Sequence, residues 1–405
     1  MFARARTIEG MSYVSHLHHG ALSDWCEERL TGSAAVAQHI ADQVRGTSIT
    51  RPSGQVDRHH WSQAERTFAY RVAAMFQPAP PYSALLGLAR TGLVSVPWAH
   101  RQAALYPTHA SLPPNERERA LDFRPTLRGW VDLLPAYEQG AAAPSGGLEQ
   151  EYRVAARPGF PDESVLADLF HRIRAYFSAH VRFGQIGSPG SETGIARLCW
   201  LMAAFAYSYR NDSINHPFFQ LFQERTPTVA EMHSAADDLA VSDPLALIDR
   251  LSACGALDEI RRLAGDFRGN GPWGIASPVI FNHWTDTHLV VNGPAGATLL
   301  DVVATVRVDA GQRTRRRMWN LLASAWLDST DSLRIRNVGT YLARHGVLLT
   351  WPLEDLAHDL VEGHDFHQAR TEFVDLAHRL DKQDRARRLA WRESQGTTTP
   401  VKVTP

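Results

Sequence analysis

Three polar side chains in the last third of the sequence have the types and spacing that a metal-dependent hydrolase needs. Asp286 and His288 stand two residues apart in the segment 285–292, and Asp301 lies in the next segment, 298–308. Alternate residues of a strand point to the same face, so Asp286 and His288 would project together beside a strand that presents Asp301. Two carboxylates and one imidazole suit Mn²⁺, Fe²⁺ or Zn²⁺ better than Mg²⁺. The three residues are therefore predicted to form a catalytic and metal-binding site.

Short strands and one helix would have to position these side chains. Segments 285–292 and 298–308 are rich in β-branched and aliphatic residues, and a turn of glycine and proline joins them. Segment 312–327 carries apolar residues at spacings of three and four, which predicts a helix with one apolar stripe. Segments 333–344 and 347–351 predict two further strands. The stripe of the predicted helix is Met318, Leu321, Leu322 and Ala325.

The order strand, strand, helix, strand, strand resembles the core of the PD-(D/E)XK nuclease superfamily, most closely its RecB-like branch. That family carries Asp on its first strand, Asp/Glu-X-Lys on its second and Gln-X-X-X-Tyr on the helix. Asp301 matches the acidic residue of the second strand, whereas Val303 holds the lysine position and His288 the position of the first Asp. Asn320 and Ser324 stand at the Gln and Tyr spacing. The resemblance implies an α/β protein with a restriction-endonuclease-like core, a small mixed sheet and a degenerate active site.

The missing lysine bears most directly on activity. Such nucleases use Mg²⁺ on oxygen ligands to activate a water and to neutralise charge on the phosphate. Losing a positioned electrostatic group like the lysine costs on the order of a hundredfold or more in rate. The lysines of this chain are Lys382 and Lys402, and Arg307 would lie roughly 20 Å along the strand from Asp301. We therefore expect impaired catalysis, with Mg²⁺ or Mn²⁺ as cofactor only if activity survives.

Three functions are compatible with these residues. The first is a nucleic-acid-associated, catalytically impaired nuclease homologue that acts as a DNA-binding or interaction subunit in repair, replication or defence. The second is an active metal-dependent DNA nuclease whose ligands have moved to Asp286, His288, Asp301 and Glu192, with Glu192 supplied by a helix over 191–210 packed on the sheet. The third is a non-enzymatic scaffold that uses the fold without any nucleic acid, which the near-neutral net charge favours. As the alternative to a metal site, Asp286 is a turn residue, His288 a hydrogen-bonded sheet histidine, and Asp301 a relic or a hydrogen-bond acceptor.

A run of arginines crowds the start of the helix predicted over 312–327. The dipole of a helix start favours anions and disfavours cations, so a DNA phosphate would relieve the repulsion there. In the other interpretation the run is a solvated face, partly balanced by the regions of Asp309 and Asp328. DNA is thus the expected partner, and protein partners stay undefined. The candidate nucleic-acid-binding residues are Arg313, Arg315, Arg316, Arg317 and Asn320.

Composition indicates an ordinary globular protein. The chain has 405 residues, which is long enough for two or three domains. Of these residues 44% are hydrophobic and 21% are charged, as is usual for a globular protein. A net charge of −1 provides no global basic field, so any nucleic-acid binding must come from a local patch. Three widely spaced cysteines show no zinc-ligand or disulfide pattern and fit a reducing cytoplasm. The most apolar stretch, 199–209, is too short for a bilayer that needs about 20 residues, so no membrane partner is expected.

The chain divides, on pattern alone, into four regions and a tail. A helical N-terminal region covers 13–138, small flexible residues predict a linker over 139–150, and a second helical region covers 151–268. The PD-(D/E)XK-like domain covers 269–395, and residues 396–405 read as a disordered tail. Pro244 is predicted to begin a helix, because proline is tolerated at the first helical position. Upstream of the core the predicted helices cover 18–31, 33–44, 61–76, 83–91, 115–121, 163–180, 191–210, 229–239, 244–253 and 257–263, and one or two more cover 365–393.

Overall fold

The computed structural model describes residues 13–77, 82–106, 111–118, 121, 159–211, 216–265, 273–281 and 285–396. The predicted linker over 139–150 lies outside these ranges, as do residues 397–405 of the predicted tail. Within the described ranges the chain is a mixed α/β protein with a helical N-terminal region and a small mixed sheet, as predicted. No helix of these ranges is long and apolar enough to cross a membrane.

Five strands form the mixed sheet, in the order β1-β4-β5-β6-β7. Strands β5 and β6 are parallel, and the other neighbouring pairs are antiparallel. Strands β2 and β3 form a separate two-stranded sheet. The strands are β1 (Gly274–Ala276), β2 (Val279–Phe281), β3 (Thr285–Asp286), β4 (Leu289–Val291), β5 (Ala297–Val303), β6 (Ile335–Leu342) and β7 (Val347–Pro352).

Helices make up most of the rest of the described chain. They are α1 (Tyr13–His19), α2 (Ala21–Arg29), α3 (Ser33–Val44), α4 (Arg58–Ala74), α5 (Tyr82–Arg90), α6 (Val96–Ala104), α7 (Pro114–Arg117), α8 (Glu163–His180), α9 (Pro189–Asn211), α10 (Val229–Ser234), α11 (Asp238–Ala253), α12 (Ala256–Leu263), α13 (Gln312–Trp326), α14 (Leu353–Val361) and α15 (Phe366–Gly396), with a 3₁₀ helix over Pro217–Phe222.

The helix α13 connects the two parallel strands β5 and β6, as the predicted order of elements requires. Parallel neighbours need such a crossover, because a short hairpin reverses the chain direction and can join only antiparallel strands. The predicted apolar stripe is confirmed, since all four of its residues are buried. These residues pack on the sheet face that carries Leu299 and Val303, together with helices α1 to α3, α14 and α15. We call this cluster the α13-side core.

A second cluster covers the opposite face of the sheet, where β5 presents Leu300 and Val302. Helix α4 packs there through Phe68 and Val72, with α11 and α12 beside it. The helix expected on this sheet was the one over 191–210. Its counterpart α9 packs instead mainly on α4 and α5, and its apolar residues belong to a third, helical core with α8. Helix α9 is therefore separated from the sheet by α4.

Two strands are shorter than predicted because other groups take their backbone hydrogen bonds. The Ala304 N–H donates to Glu65 Oε2 at 2.6 Å, and the Ala304 carbonyl accepts from Arg344 Nε at 2.8 Å, so β5 ends at Val303 and does not continue to residue 308. The predicted strand 285–292 is split. Thr287 N donates to the Pro278 carbonyl, after which the chain leaves the small sheet and enters the large one as β4.

The predicted start of a helix at Pro244 is wrong. Helix α11 begins at Asp238, where the Asp237 side chain accepts a hydrogen bond from Ala240 N, and Pro244 lies inside the helix. A helix interior normally disfavours proline, because proline has no N–H to donate. The preceding residue, Asp243, is buried and accepts both guanidinium N–H groups of Arg344 at 2.9 and 2.8 Å. This tertiary ion pair holds the proline-containing turn against the end of β6.

Candidate functional site

The site centres on a hydrogen-bonded pair formed by His288 and Asp301. The register of β4 and β5 pairs Leu289 with Leu300, which places His288 beside Asp301. His288 Nδ1 lies 2.9 Å from Asp301 Oδ1 and 3.2 Å from the backbone nitrogen of Val302. The two side chains remain 19% and 23% exposed, so the pair can be reached from solvent. The predicted proximity of these two residues is therefore seen in the structure.

Asp301 is stabilised as a carboxylate. Burial alone would raise the pKa of Asp301, but the hydrogen bond and charge of His288, the charge of Arg317 and the Val302 N–H lower it by more. The pKa of Asp301 is therefore below its ordinary value. Arg317 belongs to α13, so the helix behind the strand supplies a positive charge to the site. Arginine is a hydrogen-bond donor that stays protonated at all physiological pH values, so it cannot act as a base.

The lysine position of the family pattern is filled by an apolar side chain that faces the core. Val303 is 3% exposed and packs in the α13-side core, near Met318 and Leu322. At the helix position of the family's tyrosine, Ser324 is buried and interacts with the hydroxyl of Tyr13 from α1. Tyr13 is itself fully buried, so its ring fills space behind the helix. Val303 and Ser324 are therefore both buried side chains within the packed interior.

The third predicted ligand, Asp286, lies in β3, where its backbone pairs with Val279. Its side chain is outside the described part of the structure. Among the side chains that are described, no group of three or more His, Cys, Asp or Glu residues could hold a metal ion. His288 and Asp301 supply two candidate ligands, which is fewer than a stable Mg²⁺, Mn²⁺ or Zn²⁺ site normally has.

Glu192, the fourth predicted ligand, is committed to another partner. Arg71 of α4 donates from Nε to Glu192 Oε2 at 2.6 Å and from a terminal nitrogen to Oε1 at 2.5 Å. Gly187 N also donates to Oε1, at 2.6 Å. Both side chains are almost fully buried, so removing either would leave an uncompensated charge in the interior. Glu192 thus fastens α9 to α4, and a metal ion would have to displace Arg71 to use it.

The predicted nucleic-acid-binding residues divide between two sides of α13. Four of them lie on one face of the helix, because they are spaced three, one and three residues apart. They are Arg313, Arg316, Arg317 and Asn320. We call these four residues the basic face. Arg315 points to the opposite side, into a cavity of about 290 Å³ between α2, α3 and α13. The cavity is lined by Glu27, Leu30, Thr31, Ser33, Ala34, Gln312, Arg315 and Trp319.

The arginines at the start of α13 are not held in direct ion pairs with any described acid, although the charges of Arg317 and Arg313 act on Asp301 and Asp309. Within the described residues, the four arginines at its start make no ion pair and no side-chain hydrogen bond, and the first turn contains no acidic residue. The Nε atoms of Arg315 and Arg316 are buried without an acceptor. Asp309 lies near Arg313 but already accepts from Arg307 Nε and Gly311 N. Unused guanidinium donors of this kind are suited to a phosphate or carboxylate.

One neighbour of the basic face was not anticipated from the sequence. His18 of α1 lies close enough to Arg316 for the two charges to interact. Short histidine-rich runs are more often exposed helix or loop residues than ligands, so the run at 16–19 gives no local signal of function. Nothing local could have linked His18 to Arg316, since nearly three hundred residues separate them.

Comparison with protein-family models, with curated proteins and with solved structures finds no match to this chain in any of the three. The class of the protein therefore rests on its own residues: a mixed α/β fold that carries a His288–Asp301 pair beside an arginine-rich helix.

Proposed function

We propose that this protein binds nucleic acid through the basic face of α13 and does not hydrolyse it efficiently. In this proposal it is a catalytically impaired relative of PD-(D/E)XK nucleases that works as a DNA-binding or interaction subunit. The observation that carries the proposal is that the arginines of α13, one of which acts on Asp301, make no ion pair within the described residues. The position at which the family pattern has its lysine holds buried Val303. Phosphates would supply the acceptors that these arginines lack.

The chemistry of the site supports binding more strongly than hydrolysis. A metal-dependent nuclease must hold the ion with several oxygen ligands and must orient the attacking water. Asp301 accepts from His288, and Arg317 can stabilise negative charge on a phosphate but cannot remove a proton from water. The remaining groups can therefore recognise a phosphodiester more readily than they can cleave it.

An active metal-dependent nuclease is the second candidate. The observation in its favour is that His288 and Asp301 are adjacent and partly exposed, with Asp286 two residues from His288 along the chain. This candidate requires Mn²⁺ or a similar ion that accepts imidazole nitrogen, and it requires the Asp286 side chain to join the pair.

Binding and cleavage should be measured in the same samples. Labelled linear single-stranded and double-stranded DNA would be incubated with the wild-type protein and with Asp301→Ala, in Mg²⁺ and separately in Mn²⁺. Half of each sample would be run on a native gel and half on a denaturing gel. The proposal predicts a shifted band with intact DNA for both proteins. Cleavage that Asp301→Ala abolishes would establish the active nuclease, and neither binding nor cleavage would favour a scaffold.

A further inference from the structure

The N-terminal helix α1 packs against α13 beside the basic face. His18 of α1 lies close enough to Arg316 for their charges to interact, and the ring of His19 lies 5.9 Å from that of His18 in an edge-on arrangement. His18 is half-buried and His19 is exposed. The surface where the two helices meet therefore collects one permanent cation and two imidazoles that can become cations.

One hydrogen-bond donor at this junction lacks an acceptor among the described residues. Arg316 Nε is buried and has no hydrogen-bond partner, and Arg316 makes no ion pair within the described residues. A buried polar group left unsatisfied costs about 1–3 kcal/mol, more when it is charged, so such a group calls for an acceptor that the bare chain does not supply. An anion between α1 and α13 would satisfy the guanidinium and would also remove the repulsion between like charges.

We propose that one phosphate group of a bound nucleic-acid strand sits between α1 and α13, held by Arg316 and His18. This inference rests on the proposed function and extends it, because it makes the N-terminal helix part of the binding surface. The guanidinium offers a fork of N–H donors to the phosphate oxygens, and protonated His18 offers a further N–H. Helix α1 thus has a role in recognition besides its packing through Tyr13 and Leu17.

The arrangement makes binding depend on pH in a defined direction. Burial, with the charges of Arg316 and His19, lowers the pKa of His18 below its ordinary value, so the unbound protein holds His18 neutral at pH 7. A phosphate beside the ring favours the protonated form. Affinity for a strand should consequently rise as the pH falls from neutral to about 6, through the range in which imidazoles titrate.

The test is fluorescence anisotropy with a short labelled DNA oligonucleotide, at pH 7 and pH 6, on the full chain. The variants are His18→Ala, Arg316→Gln and the double variant. The matched controls are His39→Ala, an exposed histidine of α3, and Arg172→Gln, an exposed arginine of α8. Thermal unfolding would verify that each variant is folded, and His18→Asn would replace His18→Ala if that variant failed to fold.

We expect each single substitution to weaken binding about tenfold at pH 6, since hydrogen bonds to charged groups contribute on the order of 1.5 kcal/mol or more. The double variant should lose less than the product of the two effects, because both residues hold one phosphate. His18→Ala should also lose the gain in affinity between pH 7 and pH 6, while both controls behave as the wild type does. Inorganic phosphate alone should compete only at much higher concentration than the strand.

The outcomes separate this inference from the proposed function. A wild-type protein that binds no oligonucleotide would overturn both. A wild-type protein that binds, with unchanged affinity in His18→Ala and Arg316→Gln, would overturn the inference alone. If Arg316→Gln lost binding at pH 6 and His18→Ala did not, α1 would not be part of the binding surface. Competition by inorganic phosphate at the concentration of the strand would assign the site to the free ion.

Discussion

Asp301 has a histidine just before the neighbouring strand as its side-chain partner. Its carboxylate is held by His288 across two adjacent strands, while Val303 has joined the hydrophobic core. A catalytic lysine could not simply be restored at that position, because a buried ammonium group is strongly disfavoured unless it is paired. Under the proposed function, the strand carries its acidic residue without a lysine beside it to help activate water.

The hydrogen bond from His288 should be visible in the acid unfolding of the protein. A carboxyl whose folded-state pKa is lowered adds stability above its unfolded-state pKa of about 3.9 and loses this contribution as the pH falls through the folded-state pKa. For Asp301 we therefore expect the difference in free energy of unfolding between the wild type and Asp301→Asn to be constant above about pH 5 and to decrease at lower pH. Urea unfolding at a series of acidic pH values would measure this difference.

The substitution His288→Ala provides the control for that titration. Without the hydrogen bond and charge of His288, the folded-state pKa of Asp301 should rise, so the decrease at acidic pH should be smaller or absent. A difference between wild type and Asp301→Asn that stays constant, or grows, as the pH falls below 4 would show that the folded state does not favour the Asp301 carboxylate.

At this scale the sequence predicts local neighbours and misses distant ones. His288 and Asp301 could be paired in advance because strand alternation and a short turn determine which residues of a hairpin face each other. Glu192 could not be assigned, since its partner Arg71 is 121 residues away and belongs to another helix. The proximity of His18 and Arg316 could not be predicted for the same reason.

Helices whose apolar residues recur at regular helical spacing were predicted well. The helix over 163–180 has the predicted bounds, and α13 differs from its prediction by one residue, because a continuous apolar stripe specifies a helix without reference to its partners. Strands were less predictable. The split of 285–292 into β3 and β4 depends on backbone hydrogen bonds to Pro278 and from Ser277, which no local pattern encodes.

The position of α9 also depends on a contact that composition does not reveal. A Cβ atom added to Gly87 of α5 would lie 1.9 Å from the carbonyl oxygen of Phe205 of α9. The two helices are therefore in backbone contact, which only glycine permits at that point. Because of this contact, α9 packs on α5 and α4, and α4 is the helix that packs on the sheet.

We expect Gly87→Ala to destabilise the protein by about 1–3 kcal/mol or more, because the new methyl group must force the two helices apart. Gly190 is the matched control, since it is also a helical glycine of this pair and has open space where its Cβ would lie. Gly190→Ala should be neutral or slightly stabilising. Urea unfolding would measure both, and equal effects of the two substitutions would show that α5 and α9 are not in backbone contact.

The near-neutral charge of the whole molecule conceals an uneven distribution of its arginines. Arg71 and Arg344 are buried and neutralised by Glu192 and Asp243. The arginines of α13 have no such partners within the described residues. A net charge of −1 therefore does not argue against nucleic-acid binding, because the field that a strand would meet is set by the local patch.

The central claim is that the basic face binds phosphates, and the dependence of DNA affinity on salt tests it most directly. Each phosphate contact to double-stranded DNA contributes about 0.9 to the slope of log affinity against log salt concentration. The triple variant Arg313→Gln, Arg316→Gln, Arg317→Gln removes three positive charges, so it should reduce that slope by about three. The control is a triple variant of exposed, acid-paired arginines, namely Arg172→Gln, Arg225→Gln, Arg336→Gln.

Our account predicts a much shallower slope and weaker binding for the variant of the basic face, and a slope close to that of the wild type for the control variant. Parallel salt dependences for the wild type and the variant of the basic face would contradict the account, because α13 would then make no phosphate contact.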